Sequence, residues 1–177
     1  MMKRIFLAVT FLFAPMAWAE ETPTTQPFYI GSLLGASFLN EGRGTQFSYG
    51  ARAGIQIDPQ ILIGAYYDRY RVISTPIADS YANFLMGEAH FYPDRVGSGF
   101  FMGGKLGVGI VQSDRIGGYN DSDTDFAVAP SAGFEMPLNE DDRFILGVEG
   151  NYSFIPQANG LASFNLLGTF RFVFDGI

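Results

Sequence analysis

The sequence predicts an all-β protein, an eight-stranded antiparallel barrel that crosses a membrane. Three observations predict it. Hydrophobicity alternates with a period of two along most of the chain, which is the period of a strand. Eight such segments can be drawn, each about as long as a tilted membrane-crossing strand. The 177 residues include 18 Phe, 9 Tyr and 22 Gly, with only 16 % charged residues. That composition suits short strands and tight turns better than a disordered chain or a charge-rich helical bundle.

Residues 1 to 19 read as a secretory leader, and residues 20 to 177 as the barrel domain. Lys3 and Arg4 precede an apolar run from Ile5 to Ala14, and Ala17-Trp18-Ala19 supplies the small-residue cleavage pattern before Glu20. The run is shorter than the ~20 residues a membrane helix needs. Removing Lys3 and Arg4 takes the formal charge from −7 to −9. Nothing after the leader approaches a helical span, so a membrane form must be a closed barrel.

The segments fall at residues 28 to 39, 46 to 57, 61 to 72, 80 to 92, 99 to 112, 125 to 136, 143 to 154 and 161 to 174. The first opens on Phe28-Tyr29-Ile30-Gly31. The second alternates without exception: Phe47, Tyr49, Ala51, Ala53, Ile55 and Ile57 share one face, and Gln46, Ser48, Gly50, Arg52, Gly54 and Gln56 the other. Asp58-Pro59-Gln60 breaks it before the third. The fourth carries Glu88, His90 and Tyr92 on one face. In the fifth, Phe100, Met102, Leu106, Val108 and Ile110 oppose Gly103, Lys105, Gly107 and Gly109, with Phe101 and Val111 as apolar exceptions. The sixth and seventh place Glu135 and Glu149 on their polar faces. The eighth ends on Phe170, Phe172 and Phe174.

The polar faces carry Gly, Ser, Asn, Gln and charges, so the apolar faces meet lipid. A lipocalin-type soluble barrel reverses this arrangement, and a periplasmic β-sandwich is the competing soluble fold. Connections alternate in length. Those near 58 to 60, 93 to 98 and 137 to 142 are mostly short and are assigned to the periplasm, with both termini. The longest, Ser113 to Thr124, is assigned to the extracellular side.

The chain resembles the small eight-stranded outer-membrane barrels of the OmpA transmembrane-domain and opacity-protein type. The resemblance covers the whole mature chain and rests on three features. These are Phe28-Tyr29-Ile30-Gly31 with Leu34-Gly35, the Gly103/Lys105/Gly107/Gly109 strand, and the closing Phe170, Phe172 and Phe174. It implies residence in the outer membrane of a Gram-negative cell, with membrane lipid, lipopolysaccharide and the barrel-assembly machinery as partners. Barrels of this type often end on the last aromatic, whereas here Asp175-Gly176-Ile177 follow and Gly168 shares the aromatic face.

Eight strands enclose a lumen only wide enough for side chains, so the inward residues decide what the barrel can do. Counted from the periplasmic turns, Glu88 and Lys105 face each other on neighbouring strands, and a direct salt bridge between them is expected. Arg52 and Glu149 lie at a similar height, which gives a charge-balanced layer that plugs the lumen. Glu135 and Arg171 form a second layer nearer the periplasm. A gate or proton path is the alternative for these charges. An apolar conduit is opposed by them.

Histidine occurs once and cysteine is absent, which excludes disulfides, thiolate chemistry and Cys zinc sites. A lipid-modifying enzyme would have to use His90. Outer-membrane lipid A deacylases carry a His-x-Ser arrangement, but Tyr92 stands where that serine would be, and His90 shares the inward face with Glu88. A hydrogen-bonded interior histidine is expected instead, in a protein that is not an enzyme. Asp121, Asp123 and Asp125 could suggest calcium, but Phe126 and Ala132 replace the required Gly and Glu of an EF-hand. With Asp114 they are read as a solvated, mobile surface loop, and no metal or cofactor is assigned. The acidic charge excludes nucleic-acid binding. The sequence therefore points to an outer-membrane barrel with a structural or surface-interaction role, and it assigns no extracellular ligand.

Overall fold

A computed structural model describes residues 26–40, 44–75, 78–115, 120–156 and 161–175. The expected leader, residues 1 to 19, lies outside the described residues. Eight antiparallel strands close in sequence order: β1 (Phe28–Leu39), β2 (Thr45–Asp58), β3 (Ile61–Thr75), β4 (Ala78–Phe91), β5 (Gly99–Arg115), β6 (Asn120–Pro137), β7 (Phe144–Ile155) and β8 (Leu161–Phe174). β8 pairs with β1, from Phe28 opposite Phe174 to Leu39 opposite Ser163, so the wall has no open edge around its circumference.

Side-chain alternation fixes the two faces. Outward positions carry exposed apolar side chains, with Phe47 at 65 % and Leu106 at 62 %, while the inward Glu135, Glu149 and Arg171 have no exposure. In water this arrangement would expose apolar groups and bury charges. In a bilayer it places the apolar wall against lipid.

The turns at one end are short and tied together. The Tyr92 N–H donates to the Gln60 carbonyl at 2.8 Å and the Val96 N–H to the Pro59 carbonyl at 2.8 Å, which locks the β2–β3 and β4–β5 turns to one another. Gly97 in the β4–β5 turn and Gly99 at the first position of β5 take φ of 83°, a region where a side chain is strained. This is the periplasmic end by the same rule of short turns.

At the other end the structure corrects the expected loop. Ser113 to Thr124 is largely strand: β5 continues to Arg115, β6 begins at Asn120, and the ladder runs from Ser113 opposite Asp121 to Asp114 opposite Asn120. Asp114, Asp121, Asp123 and Asp125 therefore stand on a β-hairpin, and only 116 to 119 fall outside the described residues. A strand above the membrane needs no apolar face, so its polar sequence concealed it. Among the described residues the pairing of β6 with β7 begins at Val128, whereas its pairing with β5 begins at Asn120. The barrel rim is thus taller over β3 to β6.

Candidate functional site

Two charged layers cross the lumen between apolar clusters. Leu33, Tyr66, Phe84, Met86, Ile155 and Leu167 belong to a large cluster that extends toward the extracellular end, and Tyr29, Leu62, Tyr92 and Phe101 form a smaller one toward the turns. The interior is more aromatic than the sequence reading allowed.

The upper layer is built by β2, β4, β5 and β7. Glu149 receives both bases: the Arg52 guanidinium on one carboxylate oxygen and the Lys105 ammonium on the other. Arg52 also lies 3.5 Å from Glu88 Oε2. The Tyr29 hydroxyl donates to Glu88 Oε1 at 2.9 Å, and Asn151 Nδ2 donates to Glu149 Oε1 at 3.1 Å. The Tyr66 ring lies under both cations, 4.5 Å from Lys105 Nζ and 5.8 Å from the Arg52 guanidinium carbon. All four charged side chains are shielded from solvent. Two bases and two acids leave the layer neutral, the condition under which buried charge is tolerated.

The expected Glu88–Lys105 salt bridge is not formed. The two residues do occupy facing positions on β4 and β5. Lys105 instead reaches Glu149 on β7, while Glu88 is held by Arg52 and Tyr29. The physical reason is strand tilt: in an eight-stranded barrel long inward side chains meet across the axis as readily as along the wall.

In the lower layer the Arg171 guanidinium pairs with Glu135, and the Tyr92 hydroxyl donates to Glu135 Oε2 at 2.8 Å. Arg171 also lies over the rings of Tyr29 and Tyr92, at 5.2 and 5.9 Å. Tyr29 thus touches both layers. Gly31 makes this packing possible. It faces Arg52 on β2 and Arg171 on β8, and a Cβ there would sit 2.9 Å from Arg171 Cγ and 2.6 Å from the Phe170 carbonyl oxygen.

His90 faces the lumen below the upper layer, its ring stacked on Phe101 with centroids 4.6 Å apart. Glu88 Oε2 is 3.7 Å from Nε2, and neither ring nitrogen has a hydrogen-bond partner among the described residues. The expected hydrogen bond is therefore replaced by aromatic packing. Sequence reasoning also missed a third polar set, in which Ser48 Oγ donates to Asp68 Oδ1 at 2.5 Å and Asn165 Nδ2 donates to Asn151 Oδ1 at 2.7 Å. Its signal was the inward parity of Asp68 and Asn165. Among the described residues no group of three or more His, Asp or Glu is placed to hold a metal ion.

No family model matches the chain, and no curated protein matches it in sequence. Solved structures do match. Neisserial surface protein A (NspA) superposes with a TM-score of 0.66 at 17 % identity, covering 83 % of this chain and 97 % of that one. Ail, the attachment invasion locus protein of Yersinia pestis, gives 0.58 at 14 % identity, with coverage of 84 % and 99 %. The outer membrane protein OprG of Pseudomonas aeruginosa gives 0.54 at 12 % identity, with coverage of 85 % and 96 %. At such identities the likeness is one of architecture. Taken with the apolar outer wall, it makes the chain an eight-stranded barrel of the outer-membrane type, the fold its sequence resembles.

Proposed function

We propose that this protein is a closed outer-membrane barrel with a structural or surface-interaction role, and not an enzyme or a pore. The observation that carries the reading is the Arg52–Glu149–Lys105 triad, which spans the lumen from β2 through β7 to β5. With aromatic packing above and below, it blocks a continuous aqueous path. Charges tied in both directions also make a poor gate, since opening one pair leaves another buried charge without compensation. Surface interaction is supported by the raised rim over β3 to β6, and by the architecture shared with a protein named for attachment and invasion. The partners in this reading are outer-membrane lipid, lipopolysaccharide and the barrel-assembly machinery.

Planar-bilayer recording with the purified barrel tests the plug. Brief or absent conductance is expected, and large, steady, porin-like currents would overturn it. The enzyme reading requires His90 to meet lipid, but its ring lies inside against Phe101.

A further inference from the structure

We propose that the outer wall over β1 to β4 carries a binding site for one phosphorylated lipid of the outer leaflet, with a basic and aromatic cradle for the phosphate above an apolar furrow for an acyl chain.

The cradle lies on outward positions. Arg69 and Arg71 of β3 both stack on the Tyr81 ring of β4, with guanidinium carbons 4.4 and 5.6 Å from its centroid. Arg71 donates to the Tyr81 hydroxyl at 3.3 Å. Together with Phe47 and Tyr49 of β2 they line a hollow of about 240 Å³. Asp79 Oδ1 lies 3.9 Å from Arg71 Nε, and both side chains are partly exposed. Arg69 Nε is sheltered from solvent and has no hydrogen-bond partner among the described residues.

Height decides the ligand class. Arg69 and Arg71 stand eight and ten residues above Ile61 at the short-turn end of β3. At ~3.3 Å per residue and a tilt of about 40°, that is roughly 20 to 25 Å, the top of an apolar band ~25 Å tall. The guanidinium groups therefore lie at the headgroup level of the outer leaflet, where a phosphate offers the bidentate partner arginine prefers.

Directly below, β8 and β1 to β4 form an open apolar furrow of about 610 Å³. Its floor is made of small residues in register: Ser32 faces Ala51, and Ala53 faces Ala65. Tyr67 and Leu85 wall it on one side, Phe170 and Phe172 on the other. Tyr49 faces Arg69 and Ala51 faces Tyr67, so the furrow begins one inward-outward repeat, ~7 Å, beneath the cradle. Small residues or arginines alone would say little. A cationic hollow stacked on an apolar furrow matches one amphiphile, its charge above and its chain below.

The inference rests on the membrane placement and is independent of the plugged lumen. The test uses the full barrel in phosphatidylcholine nanodiscs doped with bisphosphorylated or dephosphorylated lipid A, with retained lipid counted by native mass spectrometry. One bisphosphorylated molecule per barrel is expected to be held preferentially. Arg69→Gln/Arg71→Gln should weaken it about 30-fold, at about 1 kcal/mol for each basic group near an anionic surface. Ala53→Phe, which fills the furrow and leaves the charges in place, should also weaken it, whereas Arg95→Gln at a periplasmic turn should not. Equal retention of the two lipids by the unaltered protein would overturn the proposal whether or not a variant folds. Displacement of the lipid by millimolar inorganic phosphate would overturn it as well, and would assign the cradle to a free anion.

Discussion

Lys105 gives its ammonium to Glu149, two strands away, and not to Glu88, which faces it on the adjacent strand. Glu149 is thereby the one acid that compensates two bases, and its loss leaves both Arg52 and Lys105 short of a partner. Glu149→Gln should cost about 3 to 5 kcal/mol in urea unfolding from vesicles, while joint replacement of all four charges, Arg52, Glu88, Lys105 and Glu149, by apolar residues of similar size should cost less. A milder loss in Glu149→Gln than in the fourfold variant would show that the charges do not act as a unit.

Tyr29 is the bridge between the layers, donating to Glu88 and lying against Arg171. Tyr29→Phe keeps the ring and removes the donor, so it should cost about 1.5 to 3 kcal/mol, the range for a hydrogen bond to a charged group. A double-mutant cycle with Glu88→Gln isolates that share. Full additivity would place the contribution of Tyr29 in packing alone.

Gly133 sits where an added Cβ would lie 2.6 Å from the Phe101 ring and 2.4 Å from the Val148 carbonyl oxygen. Because one of these contacts is backbone, the wall cannot yield freely. Gly133→Ala should lower stability by about 1 to 3 kcal/mol, read as an earlier transition in heat-modifiable gel migration. Gly104→Ala is the control, since the nearest atom to its Cβ is 3.9 Å away, and it should be nearly silent.

Replacing residues 113 to 124 by a short Gly-Ser link should leave barrel folding intact, as judged by the same gel assay. That hairpin pairs within itself and, along β5, with β4, and it adds nothing to either charged layer. Failure to fold would mean that the raised rim nucleates closure of the sheet.

His90→Ala should leave lipid A acylation in the host unchanged by mass spectrometry, because the imidazole packs on Phe101 inside the lumen. A lost acyl modification would restore the enzyme reading.

Much of this fold is legible from parity. The bounds Phe28–Leu39 and Leu161–Phe174 coincide with the alternating segments, because both strands lie within the membrane and must be apolar on one face. Legibility fails where lipid no longer imposes that contrast: the upper parts of β5 and β6 are polar on both faces and read as loop. It fails again inside the lumen. Counting from the turns orders residues by height along each strand, but the shear that decides which side chains meet across the axis is a property of the closed barrel. Hence Glu88 and Lys105 could be placed opposite one another, while the preference of Lys105 for Glu149 could not be read.

The aspartates that suggested a metal or a mobile loop have a plainer setting. Asp123 and Asp125 stand in register with Val111 and Gly109 of β5, and Asp125 accepts from the Phe126 N–H at 2.7 Å. Acidic charge at this end of the molecule is thereby carried on a hydrogen-bonded ribbon, a stiff support that holds it at a fixed height.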